Sequence, residues 1–499
     1  MAALRVNIIA NYMGQVWLAI MGIIFMPIYM KLLGVEAFGL VGVMLSFQAI
    51  FQLFDFGIGG TVNRELSRYA HKTDSIAHIQ DLVRSSEIFI WGIAAFIALA
   101  LWSVSSFVAN YWLNLESVSS SQAKTAVALM GVAIALLWPS TFYTNCLSGL
   151  EKQPQMNVAQ IIFTTLRYAG VLPVLWYSAN IEAFLSWYAL IGVLQSIVTC
   201  FMVWHYLPNC PKKARFKIQT LKNTRKFSGG LFVIGVLALG VSQIDRIFLT
   251  SLRPLEEIGY YTLALSVAAG LGRIVQPMFN AVYPRFSRLV AQKNQEELET
   301  LYHLSSQYLA IVIAAVTSVL VFFAYDVLFL WTGDAALASK IAPPMQLLVI
   351  GSALNGLVNI PYALQLAHGW TRLAVGLNAV SLLLGIPVCF WAVQEYGMLG
   401  ATFPWLLSNF LSVIIGIPLM HQRLLYGQAF RWFLKDNFPP LFVGILCALV
   451  ISRLPIELER SLVGLIKLGA ICFTLLSVCL LSHPKLAIAI ASKLKIANS

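Results

Sequence analysis

Charge is what this chain is short of. Asp, Glu, Lys and Arg together make up 11% of its 499 residues, against about 25% in soluble globular proteins. So few charges cannot clothe a water-facing surface, which excludes a soluble enzyme or a nucleic-acid-binding domain. Cysteine is also sparse. The seven cysteines have neither metal-ligand spacing nor the pattern of a disulfide framework, and they read as packing residues. Local signatures of catalysis are missing: there is no GxxxxGK[ST], HExxH or GxSxG. The seven histidines are dispersed through helix ends and loops. The longest polar stretches run to about twenty residues, too short for a nucleotide-binding or catalytic domain.

What the chain has instead is hydrocarbon, with 59% of its residues hydrophobic. A helix needs ~20 mostly apolar residues to cross a bilayer, and a single chain segment there must satisfy its own backbone hydrogen bonds. Fourteen spans are predicted, at 8–31, 38–62, 86–109, 124–149, 156–178, 183–206, 227–251, 258–283, 304–331, 341–366, 372–393, 397–420, 438–454 and 459–482. The thirteenth is short, and a twelve-span alternative drops the last pair. The first run is too long for a signal peptide and lacks a small-residue cleavage site, so it is expected to stay as a span.

Basic residues set the orientation. Twenty-three Lys and Arg fall at the termini and in the even-numbered gaps, against five (Lys31, Arg253, Lys340, Arg453, Arg460) in the odd-numbered gaps. The positive-inside rule then puts both termini and the even gaps in the cytoplasm. The net charge of +12 belongs to that rim, where anionic lipid headgroups attract cations, and it does not call for nucleic acid. Trp112, Trp176, Trp331 and Trp391 fall near predicted outer ends, and Trp204, Trp370 and Trp432 near inner ends, as an aromatic belt requires.

The chain also reads as an internal repeat, with convergent use of Gly and Ser at helix ends as the alternative. A shift of 220 residues lays Glu36, Gly39, Leu45, Ser46, Ala49, Val62, Ser67 and Arg68 over Glu256, Gly259, Leu265, Ser266, Ala269, Val282, Ser287 and Arg288. Six spans separate the copies, so they run in the same direction, as in the parallel type of transporter repeat. The expected fold is all-α and polytopic, with two six-helix lobes related by a parallel pseudo-twofold repeat and two further C-terminal helices. The domains follow: 1–207 as the N-terminal lobe, 208–226 as a basic cytoplasmic linker, 227–420 as the C-terminal lobe, and 421–499 as the last two spans with the tail. Two such lobes enclose a central cavity that rocking opens to each side in turn.

Ionisable residues at membrane depth mark candidate sites, because each costs ~2.5–3.5 kcal/mol at a helix centre. Arg167, Arg246 and Arg273 can form a substrate site for a phosphate or pyrophosphate, with guanidinium forks as donors; buried pairing with carboxylates is the structural alternative. Asp245 and Arg246 project ~100° apart on their helix, so each needs its own partner. Asp55, beside Gly57, Gly59 and Gly60, reads as a cation or proton site or as a helix-end hydrogen-bond acceptor. Lys467 reads as a lysine snorkelling outward. Asn7, Asn11 and Gln15 share one face of the first span, where Asn11 and Gln15 suit either a sugar-lined cavity or interhelical hydrogen bonds.

Two segments carry a family resemblance: LLGVEAFGLVGVMLSFQAIFQLFDFGIGGTVNRELSRYA at 32–70, and DRIFLTSLRPLEEIGYYTLALSVAAGL with PMFNAVYPRFSRL across 245–289. They resemble bacterial oligosaccharide flippases, which translocate O-antigen and capsule repeat units. These form the polysaccharide transport branch of the multidrug/oligosaccharidyl-lipid/polysaccharide exporter superfamily. The resemblance implies a non-enzymatic carrier of the bacterial inner membrane. Its cargo would be undecaprenyl-pyrophosphate-linked oligosaccharide, turned from the cytoplasmic to the outer leaflet by alternating access. Matching positions are Asp55, Asp245, Arg246 and, more loosely, Arg273. The implied partners are membrane lipids, with a polysaccharide polymerase and a chain-length regulator downstream. No cofactor is expected, and coupling to H+ or Na+ stays open. Two rival readings are a drug/cation antiporter of the same superfamily and a membrane-embedded polysaccharide polymerase.

Overall fold

The computed structural model describes residues 2–55, 57–69, 76–208, 210 and 214–483, with the backbone alone at 2–12 and 218–234. Fourteen helical segments among them are long and apolar enough to cross a membrane, including the final pair, Ala429–Ser452 and Leu462–Leu481. The twelve-span alternative therefore falls.

The chain forms two compact units, Met1–Leu239 with Leu249–Gly259, and Gly240–Phe248 with Tyr260–Ser499. In the first lie α1 (Ala2–Leu33), α2 (Val35–Gln52), α3 (Ile58–Tyr69), α4 (Ile76–Phe107), α5 (Ser120–Leu137), α6 (Pro139–Gly149), α7 (Gln153–Tyr168), α8 (Val171–Tyr177) and α9 (Ile181–Tyr206). The long helices α10 (Ile218–Leu252) and α11 (Leu255–Gln292) run through both units. The second unit continues with α12 (Gln295–Phe322), α13 (Ala324–Thr332), α14 (Ala335–Ala367), α15 (Arg372–Tyr396), α16 (Phe403–Leu411) and α17 (Ile417–Leu424). It ends with α18 (Ala429–Arg431), α19 (Phe438–Ser452) and α20 (Leu462–Leu481).

In the first unit, α5 packs against both α4 and α9 and buries Ala123, Ala126, Gly131 and Ala133, with Gly131 set against Leu101 and Ala98 of α4. Small residues let helix backbones approach closely where lipid removes any hydrophobic drive to associate. The outward faces carry large apolar side chains, with Trp102 67%, Phe201 71%, Leu383 72% and Phe473 73% exposed. Such faces are stable only against hydrocarbon.

Several predicted spans turn out to be broken. The span expected at 38–62 ends as a helix at Gln52, passes through a 3-10 turn at Leu53–Asp55 and restarts as α3 at Ile58. Gly57 supplies the reason: its φ of 73° lies where glycine alone is unstrained. Asp55 Oδ1 then accepts the Gly59 N–H at 3.2 Å and caps the new helix. The expected span at 304–331 divides at Phe323, that at 124–149 at Trp138, and that at 156–178 at Ala169–Gly170.

The backbone is consistent with the repeat. Helices α2 and α11 begin at Val35 and Leu255, 220 positions apart, and the same offset separates the helix ends at Trp112 and Thr332. A Cβ added at Gly39 would lie 2.4 Å from the Leu255 carbonyl oxygen, and one at Gly259 2.5 Å from that of Val35. Each copy's glycine thus lies against the first residue of the other helix, the reciprocity of an isologous contact.

Contacts between gaps keep the expected parity. Odd gaps meet each other where the Glu36 carboxylate accepts the backbone N–H groups of Glu116, Ser117 and Val118, and where Asn114 bridges to Pro254. Even gaps meet where Gln80 Nε2 donates to the Pro208 carbonyl at 2.7 Å and Ser67 Oγ to that of Gly149 at 3.3 Å. In the second unit His483 Nε2 lies 3.0 Å from the Lys435 carbonyl.

Candidate functional site

The first unit contains a cavity of about 150 Å³ with a mixed lining, Ile134 and Leu137 supplying apolar wall beside the polar groups. Its walls come from the end of α2 (Gln48, Gln52), the α5–α6 junction (Trp138, Ser140, Thr141, Thr144), α7 (Gln160, Arg167) and α9 (Gln195). Proline makes the junction. Pro139 has no N–H to continue the α5 ladder, so the helix stops at Leu137 and restarts at Pro139. Hydroxyls then take up backbone carbonyls at the break. Ser140 Oγ donates to Leu137 O and Thr141 Oγ1 to Trp138 O, each at 2.7 Å, and Thr144 Oγ1 donates to Thr141 O at 2.8 Å. With their protons donated to backbone, the hydroxyls of these lining residues keep lone pairs with which to accept.

Arg167 stands two turns beyond Gln160 on α7. Its Nη2 donates to Gln195 Oε1, its Cζ lies 5.9 Å from the centroid of the Tyr188 ring, and its buried Nε has no hydrogen-bond partner. None of the ion pairs among the described residues involves Arg167, and no carboxylate lines the cavity. The guanidinium is therefore held by an amide and an aromatic face, with its charge uncompensated by a carboxylate at this site. A buried cation placed so can receive an anion.

The second unit holds Asp245, Arg246 and Arg273. Asp245 is 5% exposed; its Oδ2 accepts the Tyr261 hydroxyl at 2.5 Å and its Oδ1 the Arg246 backbone N–H at 2.8 Å. Arg246 is half-buried and gives Nη1 to Gln243 Oε1 at 3.2 Å. Arg273 is exposed on α11. The carboxylate of Asp245 thus takes a tyrosine hydroxyl among its partners, which the sequence did not suggest.

The remaining candidates sort differently. Lys467 reaches out of its span and donates Nζ to the Glu457 carbonyl at 2.9 Å. Asp55 serves as the cap already described. Gln15 is exposed on α1 and does not line the cavity, while the side chain of Asn11 lies outside the described residues, as does that of Asn7. Among the described residues no group of His, Cys, Asp and Glu is arranged to hold a metal.

Sequence reasoning missed most of the cavity wall. Gln48 and Gln52 share one face of α2, and Gln160 and Arg167 one face of α7. That periodicity was the available signal, but nothing in it says that the two faces meet. It also read the histidines as dispersed, whereas two of them gather in one buried network. His303 Nδ1 lies 2.5 Å from Asp436 Oδ2, Gln307 Nε2 donates to Asp436 Oδ1 at 2.7 Å, and Tyr302 Oη lies 3.2 Å from His421 Nε2. In the first unit, Glu87 pairs with Arg84 at 2.7 Å and accepts the Tyr143 hydroxyl at 2.7 Å.

Residues 4–290 match the family model described as "Polysaccharide biosynthesis protein", and residues 231–391 that of the MatE family. The chain is 23% identical over 386 residues to a Shigella flexneri protein described as "Putative O-antigen transporter", covering 77% of this chain and 89% of that one. Among solved structures, the lipid II flippase MurJ in an inward closed conformation superposes with a TM-score of 0.65 at 13% identity, covering 96% of this chain and 99% of that one. An inward-facing multidrug resistance MATE family transporter of the MOP superfamily gives 0.68 at 14% identity, covering 81% and 94%. At such identities these likenesses show the fold.

Proposed function

Because the chain belongs to the polysaccharide biosynthesis protein family, we propose that it is a flippase for lipid-linked oligosaccharide. The cargo is an undecaprenyl-pyrophosphate-linked repeat unit for O-antigen, capsule or exopolysaccharide. It is loaded at the cytoplasmic side of the bacterial inner membrane and released at the outer leaflet, with both termini of the chain in the cytoplasm. The division into lobes at 1–207 and 227–420, a linker at 208–226 and an appended pair at 421–499 belongs to the same proposal.

The physical need is plain. Sugars and phosphates lose their hydration in hydrocarbon without replacement, so a carrier must supply polar groups while the lipid tail stays in the bilayer. The observation that carries the reading is the cavity around Arg167: one guanidinium without a carboxylate partner, among amides and hydroxyl acceptors. Arg246 and Arg273 are proposed as further cations for the charged head. The drug/cation antiporter alternative calls for an acid-dominated site, and the cavity wall has no carboxylate.

Deleting the gene should abolish surface polysaccharide and leave lipid-linked repeat units accumulated on the cytoplasmic side. Plasmid-borne wild type should restore output, and Arg246→Ala with Arg273→Ala should restore less at matched protein levels. Normal surface polysaccharide in the deletion strain, with a raised sensitivity to cationic drugs, would favour the antiporter instead.

A further inference from the structure

We propose that the cavity around Arg167 is a glycosyl subsite, which reads one sugar unit bearing a carboxylate rather than the pyrophosphate of the lipid. The inference rests on the flippase reading and reassigns what Arg167 holds.

Donor and acceptor chemistry separates the two ligands. A pyrophosphate presents acceptors only. Ser140, Thr141 and Thr144 donate their hydroxyl protons to backbone carbonyls, so binding a phosphate oxygen there would first break those hydrogen bonds, whereas their lone pairs can accept from a donor at no such cost. Sugar hydroxyls donate as well as accept, and they match these oxygens. The amides complete the match. Gln48, Gln52 and Gln160 line the cavity, and among the described residues none of these three side chains has a hydrogen-bond partner. Gln52 is exposed and Gln48 and Gln160 are half-buried, so these carboxamides are open to a ligand, and hydroxyl-rich cargo would satisfy both their N–H and C=O groups.

Size and shape fit one unit of a chain. The cavity is about 150 Å³, below the ~300–1,000 Å³ typical of pockets that engulf a whole drug-sized ligand. Gln52 and Thr141 are exposed at its mouth, whereas Ile134, Trp138 and Gln195 are buried behind, so a single ring can enter from the open side. At the inner wall the Arg167 guanidinium has an amide partner, a free buried Nε and no protein carboxylate. A carboxylate on the sugar supplies the missing countercharge through a charge-assisted hydrogen bond. The absence of acidic groups from the wall makes it a poor host for sugars carrying a free ammonium group.

The test is saturation-transfer NMR on the full chain in detergent micelles, with D-glucuronate, D-glucose and inorganic pyrophosphate as probes. D-glucuronate should bind, D-glucose more weakly, and pyrophosphate should not displace glucuronate. Arg167→Ala should weaken glucuronate about ten- to hundredfold, the scale of a lost charge-assisted hydrogen bond. Gln160→Ala, at a side chain without structural partners, should weaken glucuronate and glucose alike while the thermal midpoint stays at the wild-type value. No glucuronate binding to the wild type, or unchanged binding in both variants, would overturn the proposal. Arg167-dependent binding of pyrophosphate that displaces glucuronate would overturn the subsite but leave the flippase reading intact. That reading fails by a separate result, namely normal surface polysaccharide in the deletion strain.

Discussion

Asp436 is completely buried and gives one carboxylate oxygen to His303 and the other to Gln307. Removing one member of such a pair strands the other without water, which typically costs ~3–5 kcal/mol, whereas replacing both by apolar residues is often close to neutral. Asp436→Ala should therefore lower the thermal midpoint of the purified protein sharply. The double variant His303→Leu with Asp436→Leu should recover part of the loss, and a melt in detergent reads both. A double variant as unstable as the sum of its singles would contradict the pairing. Arg167 is handled in the opposite way, with an amide where Asp436 has a histidine. Lys467 was legible from the sequence because a long cationic side chain near a helix end has one cheap solution, to reach outward. The His303–Asp436 pair was not, since the partners lie 133 positions apart and no local pattern joins them.

Helices were legible as hydropathy and their interruptions were not. A window of ~19 residues averages across a single turn, so the break at Gly57 disappeared into the span expected at 38–62. The two repeat copies part company at this point. Where the first copy has Gly57 and a reversal of φ, the second has Pro277 inside an unbroken α11. They agree again at Gly39 and Gly259, where each backbone leaves no room for a Cβ beside the other's carbonyl. Gly39→Ala and Gly259→Ala should each destabilise the protein by ~1–3 kcal/mol, the range for overpacked sites, and by similar amounts. Gly60→Ala, with nothing within 4 Å of its Cβ, serves as the neutral control. Thermal melts of the three variants check this, and unequal effects at the two repeat glycines would contradict a reciprocal contact.

For the molecule as a whole, composition and charge parity carried most of the reading. An 11% share of charged residues forces a lipid-facing surface, and the alternation of Lys and Arg between gaps fixed which gaps share a side. The contacts of Glu36 with 116–118 and of Gln80 with Pro208 respect that alternation. The candidate site was half legible. Arg167 announced itself as a cation at membrane depth, while its wall of Gln48, Gln52, Gln160 and Gln195 depends on α2, α7 and α9 meeting around the proline break between α5 and α6. What those residues do in concert is a property of transport, and it is best measured there. Purified protein in sealed vesicles, with a fluorescent lipid-linked oligosaccharide carrying a uronic acid loaded in one leaflet, gives the direct assay. Protein-containing vesicles should expose the sugar head on the opposite face faster than protein-free vesicles, and Arg167→Ala should slow that exposure. Equal rates with and without the protein would contradict the account.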